Sequence, residues 1–259
     1  MPSSAPRTVT ACMLIIGNEI LSGRTQDENL RYVATGLNEV GIRLMEARVI
    51  PDVPETIIRT VNECRAAFDY VFTSGGIGPT HDDITSECVA QAFGVALHKD
   101  PQAVAILEAY IPGGLNEARL RMATVPKGAE LIQNQVSAAP GFRMENVYVM
   151  AGVPAVMKAM FDNVKRTLKG GAKMFSRSVR VELAEGVIAE CLSKLQDANP
   201  DVEIGSYPAM RRGSFGVSVV MRGVDEKRLD AVVVELKKGL EALGGKPQDE
   251  TAMLAGQGA

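Results

Sequence analysis

An α/β fold, in which a parallel sheet carries helices on both faces to give a three-layer domain followed by a small α+β module, is what the 259 residues predict. Three features carry that expectation. Apolar runs of strand length alternate with helical 3-4 spacing through the first two thirds of the chain. Glycine turns follow the runs, and the order of elements changes after the stretch KGGAK at 169–173. With 46% hydrophobic and 23% charged residues, a packed core is expected rather than disorder.

Residues 1–7 read as a loose tail, and Val9–Ile16 is an apolar run suited to a buried strand. Gly17 and Gly23 bracket a turn, Thr25 or Asp27 can cap the next helix, and Leu30, Val33, Ala34, Leu37 and Val40 form its apolar stripe up to Gly41. A strand at 42–49 leads to Pro51-Asp52, and Pro54 opens a helix that turns Ile57, Ile58, Val61 and Cys64 inward. A third strand at 70–73 runs into SGGIGPTHDD, and a helix is expected at 84–93, closed by Gly94. Helices at 101–110 and 115–123, turns at Pro126-Lys127-Gly128 and Pro140-Gly141, and a strand at 146–150 follow. Gly152-Val153-Pro154 then starts a helix faced by Val156, Met157, Met160, Phe161 and Val164.

These elements define a domain at 8–168 and a module at 174–245. In the module we expect a strand at 177–183, a helix at 185–195, strands at 202–207 and 215–221, and a helix at 226–243. The alternation of Phe215, Val217, Val219 and Met221 marks a half-buried antiparallel strand. Gly213 and Gly216 match the GxxG of an RNA-binding loop, but they precede a strand and their setting is neutral, which argues against RNA. Beyond Gly245 the composition reads as a frayed tail.

In parallel sheets ligands bind outside the carboxyl ends of the strands. That rule gathers Asn18-Glu19, Asp52 and the stretch from Gly75 to Asp83 at a single acidic rim. Gly75, Gly76 and Gly78 lead into a helix N-terminus, where unpaired N–H groups suit an anion, so phosphate is the expected guest. The loop lacks the third glycine of GxGxxG, and the chain contains no P-loop motif. Asp82-Asp83 would repel a phosphate unless a cation such as Mg²⁺ lay between them. Equally, Asp83 can cap the helix while Asp82 is merely solvated.

The formal net charge of −3 offers no basic excess for nucleic acid or anionic membranes. Cys12, Cys64, Cys88 and Cys191 are scattered without a CxxC pair and read as reduced core residues. Two histidines make a histidine-rich zinc site an unsuitable reading. Neither a signal peptide nor a membrane span is seen, so a cytoplasmic location is expected.

GNEILSG with Asn29, VIPD, TSGGIGPTHDDIT, NQVSAAPGF and AGVP together resemble the molybdopterin-binding-type domain of MoaB/Mog-like proteins, in the version that opens the competence/damage-inducible CinA proteins and occurs in some FAD synthetases. Residues 176–243 resemble the small KH-type module that follows it in CinA proteins, and the C-terminal deamidase domain of those proteins is not expected in this length. Asn18, Ser137 and Ala151 depart from the family's usual residues. The resemblance implies a divalent-cation-dependent nucleotide pyrophosphatase acting on ADP-ribose or FAD. It equally implies the chemistry of cousins that bind molybdopterin and adenylylate it with carboxylates matching Asp52 and Asp83. A non-catalytic nucleotide-binding module is the third possibility, and related domains form dimers or trimers.

On the hydrolytic reading, the backbone of Gly75, Gly76 and Gly78, with Ser74, Thr80, Thr85, Asn18 and Glu19 around it, holds the diphosphate. Asp83 and Asp52 take Mg²⁺, Mn²⁺ or Co²⁺, and Asp82 or Glu87 positions the attacking water.

Overall fold

The computed structural model describes residues 7–111, 113–211 and 214–250. The chain divides into two compact units, Met1–Ala172 and Lys173–Ala259.

The first unit is built on a six-stranded sheet. In chain order it contains β1 (Val9–Ile16), α1 (Asn18–Leu21), α2 (Asn29–Glu39), β2 (Ile42–Ile50), α3 (Pro54–Ala67), β3 (Tyr70–Ser74), α4 (Thr85–Ala92), β4 (Leu97–Lys99), α5 (Pro101–Tyr110), α6 (Glu117–Arg121), β5 (Thr124–Pro126), β6 (Glu130–Ile132), β7 (Gly141–Met144), β8 (Val147–Met150) and α7 (Pro154–Lys165). The strand order is β2-β1-β3-β8-β7-β6. The first four strands run parallel, and the β6-β7-β8 pairings are antiparallel.

The alternation of side chains along a strand builds the layers. Ala11, Met13 and Ile15 of β1 pack with Val33 and Leu37 of α2 and with Met157, Met160 and Phe161 of α7. Cys12, Leu14 and Ile16 pack the other way, against Ile57, Val61 and Cys64 of α3 and Cys88 and Val89 of α4. A strand covered on both faces must be apolar throughout, which is why β1 reads as an unbroken run. A two-stranded β4-β5 ribbon and the small cluster of Ala103, Leu107 and Ala123 form a side lobe with α5 and α6. β4 falls where a strand around His98 is expected, whereas three short strands, β5 to β7, lie where the sequence predicts only turns, because runs of three or four residues are shorter than any periodicity window.

Cys12 and Cys64 face each other with sulfurs 3.5 Å apart in the core. The hydrogen bond to Cys64, together with burial, pushes the Cys12 thiol up, and burial raises that of Cys88 to about 11. Cys12 and Cys88 are therefore protonated core thiols, while the hydrogen bond that Cys64 accepts from Cys12 shifts the Cys64 thiol downward.

Asp69 ties the start of β1 to the start of β3. Its Oδ2 accepts the Thr10 N–H at 2.9 Å and the Thr10 hydroxyl at 3.1 Å. The Thr10 amide, with the hydroxyl and Arg7, holds this carboxyl below its ordinary value of 3.8. A depressed folded-state pKa gives stability that is present above about pH 4 and is lost as pH falls through the lowered value. Asp69→Ala is therefore expected to lower unfolding stability by about 2 kcal/mol at neutral pH, with the gap from wild type closing in denaturant titrations below pH 4.

The second unit contains β9 (Phe175–Val181), α8 (Glu185–Ala198), β10 (Glu203–Arg211), β11 (Ser214–Gly223), α9 (Glu226–Ala242) and β12 (Gln248–Asp249). The sheet order is β10-β11-β9-β12, with every pairing antiparallel. Val179, Val217, Val219 and Met221 bury against Ile188 of α8 and Leu229, Val232 and Leu236 of α9. The frayed tail expected after Gly245 is corrected in part: Gln248–Asp249 adds an edge strand to β9, fixed by Lys237 to Asp249 at 2.7 Å and by Ser178 Oγ to Glu250 at 2.7 Å. Gly213 of the GxxG stretch lies outside the described residues.

Candidate functional site

Because β2, β1, β3 and β8 are neighbours and parallel, the segments that follow them leave the sheet at one edge. Asp52, Asn18-Glu19, Gly75 and Gly152 thus share a rim spanning three strand spacings, about 14 Å. The Asn18 N–H donates to Asp52 Oδ2 at 2.8 Å, binding the β1 and β2 ends together. Glu19 folds back against Gly17, where an added Cβ would lie 2.5 Å from its Oε1. Gly152 packs on Gly75, with an added Cβ only 3.3 Å from the Gly75 Cα.

The loop after β3 is braced from beneath. Gly75 and Gly76 have φ of 107° and 70°, left-handed values that glycine takes without strain. The Gly75 N–H donates to Met150 O at 3.2 Å. Thr85, fully buried, gives its hydroxyl to Gly75 O at 3.0 Å and its N–H to Gly76 O at 2.9 Å. Thr80 donates its N–H to Asp83 Oδ2 at 2.8 Å and its hydroxyl to the same oxygen. Ser74 is buried, receives Asn29 Nδ2 at 2.7 Å and donates to Ala151 O at 3.4 Å.

Two expectations are corrected by these contacts. The hydroxyls of Ser74, Thr80 and Thr85 do not face a ligand as free donors, since each is spent holding the loop. Asp83 does not cap the following helix: Ile84 occupies the cap of α4 with no side-chain hydrogen bond, and Asp83 turns back to Thr80. Asp82 stays on the exposed side, with His81 Nδ1 4.0 Å from its Oδ1.

What the braces leave is a row of open donors. Among the described residues no protein acceptor takes the N–H of Gly76, Ile77 or Gly78. The Asp83 carboxylate lies beside them, close enough that a Cβ on Gly78 would sit 2.5 Å from its Oδ2. A cleft of about 270 Å³ opens here, lined by Gly78, His81, Asp83, Glu87, Arg121 and Thr124 among others. Arg121 Nη1 donates to Thr80 O at 3.2 Å across 41 residues of sequence. Nothing in EARLR distinguishes that arginine from an ordinary solvated helix residue.

Asn29 is the second residue whose role is tertiary. It is 3% exposed, and its Nδ2 bridges Ser74 Oγ and Gly152 O, at 2.7 and 2.8 Å, so it staples the two glycine loops together. Asn29→Ala would leave the Gly152 carbonyl without this donor; we expect a loss of about 2 kcal/mol, measured by chemical denaturation. A polar residue at the start of an amphipathic helix was the available signal.

Among the described residues no group of three or more His, Cys, Asp or Glu side chains is placed to hold a metal ion. Asp52 and Asp83 instead belong to different strand ends, and the ends of β2 and β3 lie about 10 Å apart. Leu21, Val53 and Val153 stand 52%, 39% and 61% exposed in the segments after β1, β2 and β8, giving the rim an apolar border. No helix of the described residues is long and apolar enough to cross a membrane.

The family described as a probable molybdopterin binding domain matches residues 12–170, which include the rim and all of the sheet except the first three residues of β1. The chain belongs to this family. Residues 173–246 match the middle domain of FAD synthase. A protein of Archaeoglobus fulgidus is 37% identical over 196 residues, 76% of this chain and 84% of its own. A probable FAD synthase of Caenorhabditis elegans is 30% identical over 260 residues, 90% of this chain and 50% of its own, so the chain spans half the length of that relative. Among solved structures, the CinA protein of Thermoplasma acidophilum, 32% identical, aligns with a TM-score of 0.58 over 62% of this chain and 98% of its own. The fold of this molybdopterin-binding-type domain is therefore the mixed α/β architecture expected, joined to a small antiparallel module.

Proposed function

We propose that the domain binds a nucleotide through its diphosphate at the glycine loop and hydrolyses it with the help of a divalent cation, ADP-ribose or an FAD-type dinucleotide being the substrate class. The observation that carries this reading is the row of open amides at Gly76, Ile77 and Gly78 beside Asp83. Successive unpaired N–H groups in a glycine loop of this kind favour phosphate oxygens, and the apolar border of Leu21, Val53 and Val153 suits the base of a nucleotide.

Asp52 and Asp83 each have one carboxylate oxygen bonded to a backbone N–H and a second oxygen open. A hard oxygen donor of this kind, one carboxylate per ion with phosphate and water completing the shell, fits Mg²⁺, Mn²⁺ or Co²⁺. When bound, the cation supplies neutralisation of charge at the phosphoryl oxygens. Glu87 lines the cleft and is better placed than the exposed Asp82 to take the proton from an attacking water. Water then adds to one phosphorus, the bridging P–O bond breaks, and AMP leaves with the partner phosphate ester.

The test is incubation of the full chain with ADP-ribose, FAD or NAD and each of Mg²⁺, Mn²⁺ and Co²⁺. Release of AMP that EDTA abolishes is expected; no AMP from any pairing overturns the reading. The family description favours a second reading, pterin binding and adenylylation at the same loop. It requires ATP consumption when molybdopterin is supplied.

A further inference from the structure

We infer that Arg121 reads the second phosphate of the ligand, so that the site selects a nucleoside diphosphate over a monophosphate; this rests on the nucleotide reading above. The rim poses an electrostatic problem. Asp83 and Glu87 line the cleft, with Asp82 beside them, and a diphosphate brings more negative charge into the same space. The open amides of Gly76 to Gly78 carry only partial positive charge.

Arg121 is the arginine that faces this cleft. It sits on the last residue of α6, in the side lobe, and reaches back to the loop through the 3.2 Å bond from Nη1 to Thr80 O. A guanidinium has five N–H donors, and this contact uses one. Among the described residues Arg121 enters no ion pair with any carboxylate, although Asp83 and Glu87 border the same cleft, so its charge remains uncommitted.

The start of α6 is fixed by Asn116, which caps it through Arg119 N–H at 2.9 Å, and Arg119 is itself tied to Gly114 O at 3.0 Å. Arg121 is thus presented from a short, anchored helix rather than from a free loop. Ile77 and Gly78 line the same cleft as Arg121, so an anion seated on their amides shares that space with the guanidinium, which binds phosphates through planar, charge-assisted hydrogen bonds. The amides hold the first phosphate and Arg121 holds the next.

The experiment compares binding of α,β-methylene-ADP, which cannot be cleaved between its phosphates, with binding of AMP, both by calorimetry with Mg²⁺. Wild type is expected to favour the diphosphate by roughly tenfold or more. Arg121→Gln should bring the ratio within about threefold with AMP affinity and melting temperature unchanged, and Arg121→Lys should restore part of it. A ratio that survives Arg121→Gln, an equal loss for both ligands, or a wild-type ratio near one overturns the assignment while leaving the nucleotide reading in place. Wild type binding neither ligand overturns that reading and this inference with it.

Discussion

Gly75→Ala is expected to destabilise the first unit by about 3–5 kcal/mol and to abolish ligand binding. Two costs add. At φ 107° a side chain is strained, worth about 1–3 kcal/mol. The new Cβ would also fall inside the contact distance of the Ile16 carbonyl oxygen, a backbone atom of the central strand that cannot swing away, and overpacking of this kind costs about 1–3 kcal/mol more. Against a domain stability of roughly 5–15 kcal/mol, that is a large share. Gly78→Ala is the control: its added Cβ meets the Asp83 carboxylate at 2.5 Å, a side chain able to shift, and the residue needs no left-handed φ. Thermal melts of the two variants should therefore separate clearly. Equal melting temperatures would mean that the β1 and β3 ends are not held as close as described.

Asp83→Asn is expected to lower AMP release from ADP-ribose by about 10²–10³ while moving the melting temperature by less than about 3 °C. The amide keeps an oxygen to accept the Thr80 N–H, so the turn from Thr80 to Asp83 is retained. What disappears is the negative charge beside the open amides, and with it a proposed ligand for the cation. Asp82→Asn, on an exposed residue outside the cleft lining, should fall by no more than about threefold. Undiminished turnover by Asp83→Asn, or an equal fall for Asp82→Asn, would remove Asp83 from the chemistry.

Much of this architecture is written in local patterns. The 3-4 spacing of Leu30, Val33 and Leu37 gives α2 its buried face, and the apolar run from Val9 gives the doubly covered β1. Parallel order then follows from alternation, and the strand-end rule places Asp52, Asn18 and Gly75 on one rim before any coordinate is known. Asp27 reads from the sequence as a candidate cap, and its Oδ1 accepts the Leu30 N–H at 2.9 Å. Less of the site was legible. Ser74, Thr80 and Thr85 have the chemistry of phosphate donors, yet whether a hydroxyl faces a ligand or the loop beneath it depends on where the neighbouring backbone carbonyls fall.

The sequence by itself determined the layers, the strand ends and the glycines, because burial periodicity and left-handed turns are properties of a segment and its immediate neighbours. Tertiary structure alone decided which donors stay open at Gly76 to Gly78, that Asn29 staples two loops, and that Arg121 comes to Thr80 from 41 residues away. Hydrogen bonds between distant segments are set by how the strands stack side by side. No spacing within either segment encodes them.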